Sequence, residues 1–140
     1  MTVKEINLRV ILSKEIPFIL IEQIKTEKWT PQRYKDFLEI SESSESNFIL
    51  GIFKGQVLIG FCFISLNFLE NCAFINTVSL YKEHRENGKT LKSVIEKLKE
   101  FIRIGRLTSA KFMTDRPAYF KRMKLKESKQ TILEYRVDHG

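Results

Sequence analysis

The stretch VSLYKEHRENGKTLKSVIEKLKEFIRIG, Val78 to Gly105, runs from the end of an apolar strand through a basic turn into an amphipathic helix. Leu91, Val94, Ile95, Leu98, Phe101 and Ile102 recur at three- and four-residue spacing and make one apolar stripe. Lys92, Glu96, Lys99, Glu100 and Arg103 fall on the opposite, wetted side. Gly105 is placed to end the helix as a left-handed cap. The turn carries Lys82, His84, Arg85 and Lys89, with Gly88 letting the backbone approach a ligand closely. The first four N–H groups of a helix have no partner inside it, and its dipole places about half a positive charge there. Phosphate binds well in such a place. The turn therefore reads either as a phosphate cradle or as an ordinary helix start. It matches neither GxxxxGK[ST] nor GxGxxG.

Working outward, INLRVIL (Ile6 to Leu12) is β-branched and reads as a first strand. Ile16, Ile19, Leu20 and Ile24 then recur at helical spacing, with Ser13 as cap and Glu15 in the first turn. A second helix starts with Thr30 as cap and Pro31 as first residue, and Tyr34, Phe37 and Leu38 supply its apolar side. Strands follow at Phe48–Phe53, Gln56–Ser65 and Cys72–Tyr81, joined by a Lys54-Gly55 turn and by Asn67 to Asn71. After Gly105, LTSAKFMT reads as a strand, DRPAYFKRMK as a short helix capped by Asp115, and TILEYRV as a last strand. A meander followed by strands joined through helices predicts an α/β (α+β) fold. Its sheet is mixed and mostly antiparallel, with helices on both faces, in a single domain over residues 1–140.

Length and composition suit this reading. The chain has 140 residues, 43% of them hydrophobic, enough for a core. No apolar run approaches the roughly 20 residues of a membrane span. The first residues do not resemble a secretory signal, so a cytoplasmic protein is expected. The net charge of +7 favours anionic partners, either nucleic acid or a polyphosphate, although the lysines are spread along the chain and no nucleic-acid motif concentrates them. Cys62 and Cys72 lie in apolar runs with no CxxC and no Cys/His cluster. They read as free buried thiols, with no metal site implied.

RENGKT, Arg85 to Thr90, resembles the signature turn of the GNAT superfamily of N-acetyltransferases, Arg/Gln-x-x-Gly-x-Gly/Ala between a strand and an amphipathic helix. IFKGQVLIGFCFI resembles the hairpin before that strand, with Ile59-Gly60-Phe61 at its "iGf" step. DRPAYFKRMKLKE resembles the family's late helix. Order and spacing agree along nearly the whole chain. The resemblance implies an acetyl-CoA-dependent acyltransferase fold with a V-shaped slot between two splayed strands. Val78, Ser79 and Leu80 would pair with the pantetheine arm. Arg85, Glu86, Asn87, Gly88, Lys89 and Thr90 would present backbone N–H groups to the pyrophosphate.

The chain also departs from the family pattern. Thr90 replaces a small residue, Glu86 follows the arginine, and Lys82 stands where proline is frequent. In the late helix Lys124 and Leu125 replace a glycine and an aromatic residue. The family's thiolate-protonating tyrosine then falls on Phe120, which has no proton to give. Tyr119, one place earlier, is the candidate acid. CAFINTVSLY contains no carboxylate to act as base; Glu70 and Glu83 flank it, and Asn76 could hold a water. Two functions follow from the resemblance. One is an active N-acetyltransferase acting on an unknown amine. The other is a catalytically inactive GNAT-like protein acting as a binding or structural subunit, with a protein partner possible, a role that would suit a phage or mobile-element protein. A nucleic-acid-binding module rests on charge alone.

Overall fold

Among the described residues, four consecutive antiparallel strands and one parallel strand form the sheet. The computed structural model describes residues 5–24 and 29–112. β1 (Ile6–Ile11), β2 (Asn47–Lys54), β3 (Val57–Asn67) and β4 (Cys72–Leu80) pair in that order, and β5 (Ser109–Phe112) adds to β4 in parallel. This is the expected mixed, mostly antiparallel sheet.

The two connections in the meander are local chemistry. Gly55 takes φ 63°, which suits glycine at the β2–β3 turn. At the β3–β4 turn, the Asn67 side-chain oxygen accepts from the Leu69 and Glu70 N–H groups at 3.1 and 3.2 Å, and Asn71 adopts φ 52°.

Strand alternation gives the sheet two apolar faces. On one, Leu50, Ile52, Cys62, Ile64, Ala73 and Ile75 meet Val94 and Leu98 of α3 (Lys89–Ile104). On the other, Ile49, Phe61 and Phe63 meet Leu20 and Ile21 of α1 (Phe18–Glu22) and Leu38 of α2 (Pro31–Ser41). Helices thus cover both faces. Both cysteines are free and buried, and burial pushes the Cys62 thiol up to about 12.

α2 starts as its sequence predicts. Pro31 is its first residue, and the Thr30 hydroxyl accepts from the Arg33 N–H at 3.2 Å. The segment before it differs from expectation. Instead of one helix from Ser13, a single 3-10 turn (Ser13–Glu15) is followed by α1, which begins only after Pro17. Proline forces Ile16 into an extended conformation, φ −83° and ψ 118°, and lacks the N–H a continuous helix needs. Ser13 is therefore not a cap. It is buried within the turn, and its N–H donates to the Glu42 carboxylate.

The end of α3 is also displaced from expectation. Gly105 is right-handed at φ −75°, and Arg106 takes the left-handed position at φ 56°. The Arg106 N–H reaches Arg103 O at 3.2 Å and the Leu107 N–H reaches Ile102 O at 3.0 Å, which is a Schellman closure built on arginine. Asn71 Nδ2 donates to the Arg106 carbonyl at 3.0 Å and ties this turn to the head of β4. The predicted late helix with Asp115, Tyr119 and Phe120, and the final strand TILEYRV, lie outside the described residues.

Candidate functional site

β4 changes character along its length. Its first part pairs with β5 from Cys72↔Ser109 to Ile75↔Phe112, where the described ladder ends. On its other side, Phe63 pairs with Thr77 and Ile64 with Ile75, so Asn76 has no partner and forms a bulge. The bulge resets the alternation. Ala73 and Ile75 face α3 below it, and Val78 and Leu80 face α3 above it. Thr77 and Ser79 are turned to the opposite layer. The Tyr34 hydroxyl meets Thr77 Oγ1 at 2.5 Å, and Ser79 Oγ donates to Leu20 O at 2.7 Å.

Beyond the ladder a cavity of about 460 Å³ opens along this strand. Ile75 to Leu80 form its floor, Gln23 and Ile24 one wall, and Arg85, Gly88, Leu91 and Phe112 the rest. It is a mixed groove, with the apolar Leu91 and Phe112 facing a strand backbone.

The basic turn closes one end of the groove. Glu86, Asn87 and Gly88 all have positive φ, 47°, 55° and 88°, between Arg85 and Lys89, which are both right-handed. Three consecutive left-handed residues, two with side chains, are costly. Among the described residues, no side chain caps the N terminus of α3. The Thr90 hydroxyl donates back to the His84 carbonyl, and the residue is buried, so its methyl and hydroxyl fold into the turn. Arg85 Nε donates to Leu80 O at 3.3 Å and its Nη2 to Gln23 Oε1 at 2.9 Å, linking the end of β4 to the end of α1. Glu86 points away to the β2–β3 turn, where Lys54 Nζ binds it at 2.9 Å and, by that hydrogen bond, lowers its carboxyl below the usual range.

Of the residues singled out in the sequence, Val78, Ser79, Leu80, Arg85 and Gly88 line the cavity, whereas Glu86, Asn87, Lys89 and Thr90 build the turn beside it. Tyr119 lies outside the described residues. Glu70 is exposed and pairs with Lys111 at 2.9 Å, and Glu83 is exposed; neither lines the cavity. Asn76 Nδ2 donates to Ser65 Oγ at 2.8 Å. Among the described residues, no group of His, Cys, Asp and Glu could hold a metal ion, and no helix is long and apolar enough to cross a membrane.

Sequence reading missed the pair formed by Tyr34 and Thr77. Tyr34 counted only as part of an apolar helix face, yet a half-buried phenol requires a hydrogen-bond partner. The available signal was the polar Thr77 within an apolar strand.

No family model matches the chain, and no curated protein matches it in sequence. Solved structures do resemble it. A structure described as a possible acetyltransferase from Clostridium difficile superposes with a TM-score of 0.72 at 12% identity, covering 96% of this chain and 99% of that one. An aminoglycoside N-acetyltransferase in complex with CoA gives 0.67 at 11% identity, covering 94% and 95%. Glucosamine-6-phosphate N-acetyltransferase from Arabidopsis thaliana gives 0.61 at 14% identity, covering 93% and 97%. The chain has the GNAT-like fold.

Proposed function

We propose that the protein is an N-acetyltransferase that takes acetyl-CoA as acyl donor and an amine as acceptor. The observation that carries this reading is the groove along Ile75–Leu80, which ends at the strained turn Arg85–Gly88. A strand edge offers N–H and C=O groups to an amide-bearing chain such as pantetheine. The first α3 amide, Lys89 N–H, donates to Glu86 O, and the amides that follow it at the front of this sixteen-residue helix suit a pyrophosphate. The CoA-bound neighbour with the same fold supports the same donor.

In this reading Val78, Ser79 and Leu80 hold the pantetheine arm through their backbone. Within the turn from Arg85 to Thr90 the N–H groups of Arg85, Gly88 and Lys89 donate to Lys82 O, Arg85 O and Glu86 O, so the pyrophosphate takes the N–H groups that remain, and Gly88 leaves room for it. Glu86 is neutralised by Lys54 and turned outward, so it does not repel the phosphates. The Asn76 bulge frees main-chain groups from the β3 ladder beside the reacting end of the groove. An N–H there polarises the thioester carbonyl toward the attacking amine. Tyr119 is the acid candidate from the sequence. A second reading, a GNAT-like subunit without catalysis, draws on one feature: no carboxylate or histidine lines the described groove.

Acetyl-CoA should raise the melting temperature. At a hundredfold excess over Kd the stabilisation is about 2.7 kcal/mol, roughly 5–10 °C for a chain of this size. Gly88→Val should remove the shift, because a branched side chain enters the groove at a left-handed position. Absence of any shift in the wild-type protein would overturn the proposal. A shift without turnover of any amine tested would favour the second reading.

A further inference from the structure

Tyr34 on α2 and Thr77 on β4 form a hydroxyl–hydroxyl pair at the groove, 43 residues apart in sequence and 2.5 Å apart at their oxygens. Thr77 lines the cavity and Tyr34 does not. We infer that Thr77 is the hydrogen-bond donor to the sulfur leaving the acyl group, and that Tyr34 positions it. This inference rests on the acetyl-CoA reading above.

The direction of the pair follows from acidity. A phenol is a far stronger acid than an aliphatic alcohol, so the Tyr34 O–H is the donor and Thr77 Oγ1 accepts. That leaves the Thr77 hydrogen free to point into the groove. Accepting from Tyr34 polarises the Thr77 O–H and strengthens its own donation. Tyr34 is itself fixed by an edge contact to Trp29 and a tilted contact to Phe37, with ring centroids 6.4 and 6.3 Å away.

Position along the strand agrees. The phosphate turn follows Leu80, and Thr77 lies three residues earlier, roughly 10 Å along β4. It also adjoins the Asn76 bulge, where the ladder opens. When the amine nitrogen bonds to the carbonyl carbon, the C–S bond breaks and its electron pair moves to sulfur. The nitrogen gives its proton to water. Thr77 donates a hydrogen bond to the resulting thiolate and transfers no proton.

Free CoA, which carries that thiol, is the probe. Its ionisation is followed by the ultraviolet absorbance of the thiolate, with protein in excess. Arg85 is the one charged side chain lining the described groove, and it is common to every variant compared. In the wild-type complex the thiol should ionise at lower pH than in free CoA. Thr77→Val should reduce its acid constant by about tenfold, the scale of one hydrogen bond to a charged group. Thr77→Ser should restore the wild-type titration, and Tyr34→Phe should lie between. If the Thr77→Val complex titrates like the wild type, the inference is overturned while the donor reading survives. If wild-type protein does not bind CoA at all, both fall. Should Tyr34→Phe fail to fold, the valine and serine variants at position 77 still decide.

Discussion

The Ser79 carbonyl oxygen of β4 occupies the space in which a side chain on Gly60 of β3 would begin. A methyl group there would overlap that oxygen and stand 2.8 Å from Leu80 Cδ2. Gly60 pairs with Leu80, the last residue of β4 before the basic turn. The glycine therefore sets how closely β3 approaches the strand that floors the groove.

Gly60→Ala should destabilise the fold by about 1–3 kcal/mol, because the obstructing atoms include main chain that cannot rotate away. Urea denaturation measures the loss. The displaced β4 end should also weaken acetyl-CoA binding, read as a smaller ligand-induced rise in melting temperature. An alanine variant with unaltered stability would show that β4 yields freely at this point.

Arg106 holds a left-handed conformation that costs an L-residue about 1 kcal/mol. Arg106→Gly should recover that amount, a rise of roughly 2–4 °C in Tm, since the hydrogen bond from Asn71 is to a backbone carbonyl and is kept. Gly105→Ala should be mildly unfavourable, because its Cβ would meet Phe101 O at 3.2 Å. If glycine at 106 lowers the melting temperature, the arginine side chain has a role beyond the turn.

Burial raises the Tyr34 phenol above its ordinary value of 10.0, and the bond to Thr77 offsets this only in part. A raised acid keeps its proton in the folded state after the unfolded chain has lost it. Its contribution is complete below pH 10 and declines as pH rises through the folded value. Wild-type protein should therefore lose more stability between pH 9 and pH 11 than Tyr34→Phe does. Paired urea titrations at the two pH values test this, and equal losses would mean that Tyr34 ionises as if it were solvated.

The elements carried by strong periodicity or by specific turn chemistry were legible in the sequence. α3 shows its stripe plainly, Thr30-Pro31 marks the start of α2, and Lys54-Gly55 marks a hairpin. The groove strand and its turn were legible through their resemblance to a known pattern. Where the reading failed, a local preference was outweighed. Pro17 interrupts a helical spacing that looks continuous when only apolar residues are counted. At Gly105, the position of the glycine suggested the cap, but the hydrogen bonds of the last turn place the left-handed residue one step later. The Asn76 bulge and the Tyr34–Thr77 pair are products of tertiary register, which no window along the chain contains.

The unmatched residue at Asn76 makes β4 behave like a text with one inserted letter. Deleting one residue there would leave the strand intact in length class yet shift everything after it by one count. Val78 and Leu80 would turn toward α1 and α2, and Ser79 would be driven into the hydrocarbon against α3. Insertions and deletions should be tolerated at the fully exposed Leu69, yet be ruinous seven residues later.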